Sequence, residues 1–456
     1  MNKKDVLEAY ISRVEFPNKG IIEIGDYKVT VKNALPGQKV RAVVNKKRKN
    51  RIEARLLEVL EKAPTEILGA CEVFGLCGGC LYQSLPYDEQ LKLKEEQVQN
   101  LLKPLGIVDR YEGILSSPQI YEYRNKMEYS FGNAYIDGPL ALGLHKRGSM
   151  YDIVNATDCK IIHDDFNKVV QATLDLFTEL DLPFYHKRTH EGYLRYLVVR
   201  RGVRSSQLQI NLVTSSQLEP DLQLYVDKLR ALDLEHEIKG IIHTITDQLS
   251  DAVKVDDMKI LYGEEHMDES LLGLNFKISP FSFFQTNTLG AEKLYEVVRD
   301  YVGETKDKVI FDLYSGTGTI TQMLAPVAKK AVGVEIVKEA VEAAKVNAKL
   351  NGLNNCEFIA GDVLTVIDEL TDKPDTIVLD PPRDGIHPKA MPKIIDFGVD
   401  NIVYVSCKPT SLARDLALLM DAGYEVVKWS MVDMFPHTIH VETVVLMSRV
   451  KVNTMF

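Results

Sequence analysis

The sequence predicts a multidomain α/β protein with a small OB-like β-barrel first, a central α+β region next and a doubly wound, Rossmann-like sheet last. Three observations carry this expectation. The 456 residues are too many for one core and suggest about three domains. Short strand-like pieces punctuated by Gly and Asn fill the first 60 residues. After about Pro280 the pattern becomes strand, helix, strand with short connections.

In residues 1–62 the pieces are "GIIEIGD", "YKVTVKN", "GQKVRAVV" and "NRIEARLLEVLE", with "NALPGQ" as a turn. Four or five strands in so little chain suit a small barrel. "NKKRKNR", from Asn45 to Arg51, is expected at a hairpin tip. The net charge of −10 speaks against a phosphate-rich partner, yet this segment holds 15 Lys and Arg against 8 Asp and Glu. That is +7 here and −17 over the other 394 residues, the asymmetry of a basic binding module on an acidic body. The segment reads as a nucleic-acid clamp, or as a solubilising loop.

Residues 63–275 form the expected central domain. "ACEVFGLCGGC" places five and then two residues between Cys71, Cys77 and Cys80. Six cysteines over this length make no disulfide framework, and three at short spacing look like metal ligands. "YDEQLKLKEEQVQNLLKPLG" reads as a helix closed by Pro104 and Gly106. Aromatic and basic residues interleave in "YEYRNKMEYSFGN" and "LRYLVVRRGVRSSQLQINLV". No apolar run reaches membrane-spanning length and "MNKKDVLEAY" lacks the apolar segment of a signal peptide, so a cytoplasmic protein with no membrane partner is expected.

Residues 276–456 carry the chemistry. "KVIFDLYSGTGTITQML" is a strand, a turn with Gly316 and Gly318, and a helix; the glycines let backbone approach a ligand. Glu335 ends the next strand, where a carboxylate accepts both hydroxyls of a ribose. The third glycine of the dinucleotide fingerprint is replaced, which disfavours NAD and suits S-adenosyl-methionine, a ligand without a pyrophosphate. Asp362, in "GDV", reads equally as an adenine contact or a turn residue. "DPPRDG", Asp380 to Gly385, fixes the backbone straight after a buried strand. "NIVYVSCKPTSLARDL" turns at Cys407 toward a helix expected near Leu412, capped by Thr410 or Ser411. Amides at such a helix start would lower the thiol's pKa. Position alone leaves Cys407 open between buried filler, metal ligand and nucleophile.

"FSFFQTN", "DLYSGTGTI", "VGVEIV", "LDPPRDGIHP", "YVSCKPTSLARDL" and "HVETVVLM", in this order, closely resemble the RNA (uracil-5-)-methyltransferases over nearly the whole chain. The resemblance implies a C-terminal class I methyltransferase domain using S-adenosyl-methionine, with Cys407 as nucleophile and Glu442 as base. It places Gln285, Tyr314, Glu335 and Asp380 among the cofactor contacts. It also likens the basic barrel to a TRAM domain and matches Cys71, Cys77, Cys80 and Cys159 to the cluster ligands of the 23S ribosomal RNA branch. A 4Fe-4S cluster and a 23S rRNA substrate are what it implies; spacing alone leaves zinc open. The chain departs from the family at Ser315, where a cysteine is usual, and at Thr319-Ile320, where Asn-Phe is usual. Cys356 matches nothing and is expected to be a core thiol, and a monomer is expected. Rival readings are a transfer-RNA enzyme, a radical S-adenosyl-methionine enzyme, disfavoured by the five-residue cysteine gap, and a non-catalytic RNA-binding protein, disfavoured by the presence of Cys407 and Glu442.

Overall fold

Alternating apolar and charged residues from Val6 to Glu61 build a six-stranded sheet in the order Val6–Tyr10, Lys39–Arg48, Arg51–Glu61, Tyr27–Lys32, Lys19–Ile24, Arg13–Glu15. Its two edges are one piece of chain, bent where Ile11 and Ser12 donate to Gln38 and Ile21 carbonyls on opposite sides (2.8 and 2.9 Å). The bend thus brings both ends of the sheet together around Val29, Val31, Val40, Ala42 and Ile52, all buried. Counted as one bent strand, the edges make five strands, as the sequence pattern suggests. Arg48 pairs with Arg51 across the hairpin, so the basic run does sit at a tip. Arg13, Lys28, Lys39 and Arg41 are taken up in ion pairs with glutamates, whereas the tip cations lie outside those pairs. This is a computed structural model, and it describes residues 2–249, 255–368, 370 and 372–450.

The helix Tyr87–Leu102 continues into a 3-10 turn, Lys103–Leu105, which holds Pro104 and closes at Gly106 in the left-handed region. A seven-stranded central sheet follows, in the order Ile153–Asn155, Leu140–His145, Lys126–Asn133, Leu194–Gly202, Gln207–Thr214, Glu237–Ile245, Asp257–Gly263. Helices Asp164–Glu179 and Gln223–Arg230 cover it through Phe166, Val170, Phe177 and Tyr225. Hydrogen bonds join it to the next layer, two of them from Asn125 and Arg200. Asn125 donates to the Gln285 carbonyl (3.0 Å), and Arg200 donates to Pro280 O (3.2 Å).

The last sheet has eight strands: Cys356–Ala360, Ala328–Glu335, Thr305–Leu313, Thr376–Leu379, Asn401–Ser406, Glu442–Arg449, Tyr424–Val432, Tyr111–Leu115. The first five are parallel and reverse their winding between Thr305–Leu313 and Thr376–Leu379, which is where such sheets bind ligands. Tyr111–Leu115 joins this sheet although it falls within 63–275. Trp429 holds it there, with its ring 4.3 Å from Tyr111 and its indole donating to Ile107 O (2.8 Å).

Candidate active site

The carboxyl ends of the five parallel strands share one edge, and Tyr314, Glu335, Asp362, Asp380 and Cys407 lie at or just beyond them. Ser406 pairs with Thr443 in antiparallel register, which sets Glu442 beside Cys407. The sequence-derived site residues therefore converge from separate stretches of chain.

Tyr314, Gly316 and Gly318 all have positive φ (74°, 54° and 73°), so the turn folds its amides around a concavity. A Cβ at Gly318 would collide with Phe358 and Ala344. Glu335 is fixed by two backbone donors, Gly316 N (3.0 Å) and Val337 N (2.9 Å), one on each oxygen. Beneath the turn, Asp312 accepts from Thr321 N (2.9 Å) and Thr321 Oγ1 (2.6 Å), pinning the helix Thr319–Leu324 to the strand. Its Oδ1 is buried and has no partner among the described residues, and burial pushes its pKa up to about 6. Ser315 turns its hydroxyl inward toward Gly333, where it finds no partner among the described residues; a thiol there would lose less on burial.

Asp362 is exposed and caps the short helix Val363–Val366, accepting from Leu364 N (2.9 Å). Asn287 caps Thr288–Val302, and the Gln285 side chain lies near the buried Tyr295 hydroxyl, where it opposes the upward push of burial on that group's pKa.

The Asp-Pro-Pro loop is locked to the helix that follows Cys407. Ser411 Oγ donates to Arg383 O (2.9 Å), and Asp415 accepts from Ile386 N (2.9 Å) and Tyr404 OH (2.7 Å). This helix runs Pro409–Asp421, starting before Leu412, and its cap position is Lys408, with no side-chain cap bond. Pro409, with φ already helical, sets the earlier start, and the Ser411 hydroxyl is engaged elsewhere.

The expected lowering of the Cys407 pKa does not occur. Burial pushes the thiol up to about 11, Glu442 and Asp380 add to this, and Arg383 opposes it. Proline at the first helical position offers no N–H to the sulfur. Burial and then Asp380 raise Glu442 to about 8, against Arg383; burial and then Asp312 raise Asp380 to about 7. The two carboxyls, near 7 and 8, can exchange protons around neutral pH, while the thiol, at about 11, keeps its proton there. Arg383, Tyr295 and Asp312 were missed as site residues because only folding reveals which charges and hydroxyls face each other.

Four of the five other thiols lie together. Each of Cys71, Cys77, Cys80 and Cys159 is within the electrostatic reach of the other three. Burial and then Cys159 raise Cys80 to about 12. Arg147 donates to Cys80 O (2.7 Å), Gly79 N to Cys77 Sγ (3.3 Å), and Cys159 N to Asn167 Oδ1 (3.0 Å). Among the described residues, the one His/Cys/Asp/Glu group with ligand atoms within 4.8 Å is His163, Asp165 and His236, not these sulfurs. In that group Asp165 accepts from the His236 ring (2.7 Å) and two backbone amides, so its oxygens are engaged. Cys356 is half-buried and packs beside Val341, Ala344 and Phe358. The cysteine lobe also touches the segment leading to Glu442: Leu81 N and Tyr82 N both donate to His437 O (2.9 Å), and buried Lys94 pairs with Asp433 (2.7 Å).

A family model, tRNA (Uracil-5-)-methyltransferase, matches residues 86–450. The chain belongs to this family. Gln285, the glycine turn, Glu335, Asp380, Cys407, Glu442 and Cys159 fall within the matched span; the six-stranded sheet and Cys71, Cys77 and Cys80 precede it. An uncharacterized RNA methyltransferase of Clostridium tetani is 48% identical over 451 residues, 98% of this chain and 99% of the relative. Another, of Bacteroides thetaiotaomicron, is 35% identical over 448 residues, 94% and 98% of the two chains. Among solved structures, the tRNA (uracil-54, C5)-methyltransferase of Pyrococcus abyssi, in complex with S-adenosyl-L-homocysteine, matches with a TM-score of 0.76 at 26% identity, over 97% of this chain and all of that one. The protein is thus an RNA methyltransferase directed at carbon 5 of uracil, with its catalytic edge at the usual ligand-binding end of a doubly wound sheet.

Proposed function

We propose that the protein transfers a methyl group from S-adenosyl-methionine to carbon 5 of a uridine in 23S rRNA through a covalent bond between Cys407 and the base. The observation that carries this reading is the mutual influence of Cys407, Glu442, Asp380 and Arg383 at one strand edge. Carbon 5 of uracil is a weak nucleophile. Addition of the Cys407 sulfur to carbon 6 makes it part of an enolate. S-adenosyl-methionine, when bound, supplies an electrophilic methyl group on a positive sulfonium. Glu442 then removes the proton on carbon 5, the electrons form the carbon 5–carbon 6 double bond, and Cys407 leaves as thiolate. Arg383 favours the thiolate, against burial and the two carboxyls.

The residues fit the methyl donor. Glu335 is anchored by two amides with lone pairs left for a ribose. Asp380 has another carboxylate, Asp312, as its charged neighbour, so a sulfonium would relieve the repulsion. Gln285, Tyr314, Gly316, Gly318 and Asp362 complete the proposed contacts. Cys71, Cys77, Cys80 and Cys159 would hold a 4Fe-4S cluster. Each of the four lies within the electrostatic reach of the other three, so together they would supply the four thiolates such a cluster takes. Residues 1–62 would act as a TRAM-type RNA clamp, residues 63–275 as the cluster and RNA-binding domain, and residues 276–456 as the methyltransferase domain of a cytoplasmic monomer.

The likeness to the Pyrococcus abyssi tRNA enzyme favours a second reading, a transfer-RNA substrate. Mass-spectrometric mapping of 5-methyluridine in ribosomal and transfer RNA, from cells with and without the gene, separates the two. Loss from 23S rRNA supports the proposal; loss from transfer RNA alone supports the second reading; no loss overturns both.

A further inference from the structure

We propose that a cleft in the central sheet, apart from the catalytic edge, seats a second, unstacked base of the RNA substrate; this rests on the RNA-methyltransferase reading. Its walls are the strands Lys126–Asn133 and Leu194–Gly202 and the segment Phe184–Lys187, and none of its lining residues is acidic. Arg195 lies at its floor, 5% exposed. The guanidinium sits 4.2 Å above the Tyr185 ring and 5.9 Å from that of Tyr196. Two of its nitrogens donate to Thr246 O (2.6 Å) and Gln248 O (2.8 Å). The third, Nε, is buried and has no hydrogen-bond partner among the described residues. A buried donor left unpaired costs free energy that an incoming acceptor would recover. The carbonyl or ring nitrogen of a base supplies that acceptor, and its face suits the aromatic walls. At the rim Arg188 lies 4.5 Å over the half-exposed Tyr151 ring, a cation placed for a phosphate beside a surface placed for a base.

The cleft is in reach of the same RNA. Asn125, which bonds Gln285 O, immediately precedes the strand whose residues Ser130–Asn133 line the cleft. The separation along that strand is on the order of 20 Å, a span of a few nucleotides. On its other side His145, in the cleft wall, accepts from Gly78 N (3.0 Å), inside the Cys77–Cys80 loop. The cysteine lobe therefore braces the cleft, which gives a metal centre there a reason to affect RNA binding without entering the reaction.

The test is binding of a short, fluorescein-labelled, mixed-sequence single-stranded RNA to the full chain and to Arg195→Met and Tyr151→Ala, with S-adenosyl-homocysteine affinity measured alongside. Arg195→Met should bind the RNA roughly tenfold more weakly and Tyr151→Ala a few-fold more weakly, both with unchanged S-adenosyl-homocysteine affinity. A 4-thiouridine version of the RNA should cross-link to the Phe184–Lys187 peptide. RNA affinity equal to wild type in both variants, or cross-links confined to other peptides, would overturn the proposal. If Arg195→Met fails to fold, Tyr151→Ala and Lys187→Ala decide by the same criterion. Failure of the broader reading looks different: the unaltered protein would then form no 5-methyluridine in any RNA.

Discussion

Five of the six cysteines occupy two settings, and the contrast lies in the neighbours of the sulfur. Cys407 is single, half-buried, and faces Glu442, Asp380 and Arg383. Cys71, Cys77, Cys80 and Cys159 face one another, with Arg147 beside the Cys77–Cys80 loop. A thiol among carboxyls can gain and lose a proton and a carbon partner; thiols among thiols repel one another as anions until a cation is shared. One residue type thus serves two chemistries, and substitution should remove each without the other.

The largest effect belongs to the solitary thiol. Cys407→Ala should lower methyl transfer by at least ~10⁴-fold, while S-adenosyl-homocysteine and RNA still bind, as calorimetry and filter binding would establish. Glu442→Gln should fail differently: the methyl group arrives but the base stays attached, so a methylated protein–RNA adduct accumulates on ordinary uridine, and turnover falls by about 10²–10⁴-fold. Loss of turnover with no adduct in this variant would remove Glu442 from the role of base.

In the four-thiol lobe the effect should fall on metal and stability. Protein purified without oxygen should be brown with about four irons per chain, and Cys159→Ser should lose the colour and melt earlier. Colourless protein holding one zinc per chain would contradict the cluster. Because Leu81 and Tyr82 bond His437 O, the same variant should also loosen the segment leading to Glu442, visible as faster amide exchange over residues 433–440.

How far the amino-acid sequence discloses this contrast depends on distance along the chain. β-branched runs ended by Gly, Pro or Asp marked the strand ends, so the edge carrying Tyr314, Glu335, Asp380 and Cys407 could be placed without coordinates. The direction of the Cys407 pKa could not, because its neighbours come from 27 positions earlier and 35 later. "YEGIL" gives no sign that Tyr111–Leu115 pairs with Trp429–Val432 across more than 300 residues; one buried indole and its bond to Ile107 decide it. The bend at Ile11–Ser12 was hidden for a related reason, since each half pairs with a different strand.

A smaller effect reports on the charges around the solitary thiol. Glu442 has a folded-state pKa near 8 against an ordinary 4.5. A raised carboxyl contributes stability below its unfolded pKa and loses it as pH rises through the folded one. Glu442→Gln should therefore melt higher than the unaltered protein above pH 8, by on the order of a few degrees, with the gap closing toward pH 4.5. A pH-independent difference would mean that the side chain is not buried as described. The smallest effect is expected at the hairpin tip. Replacing Lys47, Arg48 and Lys49 by Ala should weaken RNA binding and reduce the salt slope by about 1 for each phosphate no longer neutralised, with cofactor affinity unchanged.

Cys407 is the sulfur proposed to bond uracil, and Glu442, Asp380 and Arg383 face it. A substrate RNA bearing 5-fluorouridine, incubated with the protein and S-adenosyl-methionine, tests it without an intermediary, because fluorine cannot leave as a cation and elimination stops. Mass spectrometry of the digest should find the methylated nucleotide on the peptide containing Cys407, and Cys407→Ala should give no adduct. An adduct on another residue, or one that persists in Cys407→Ala, would contradict the assignment.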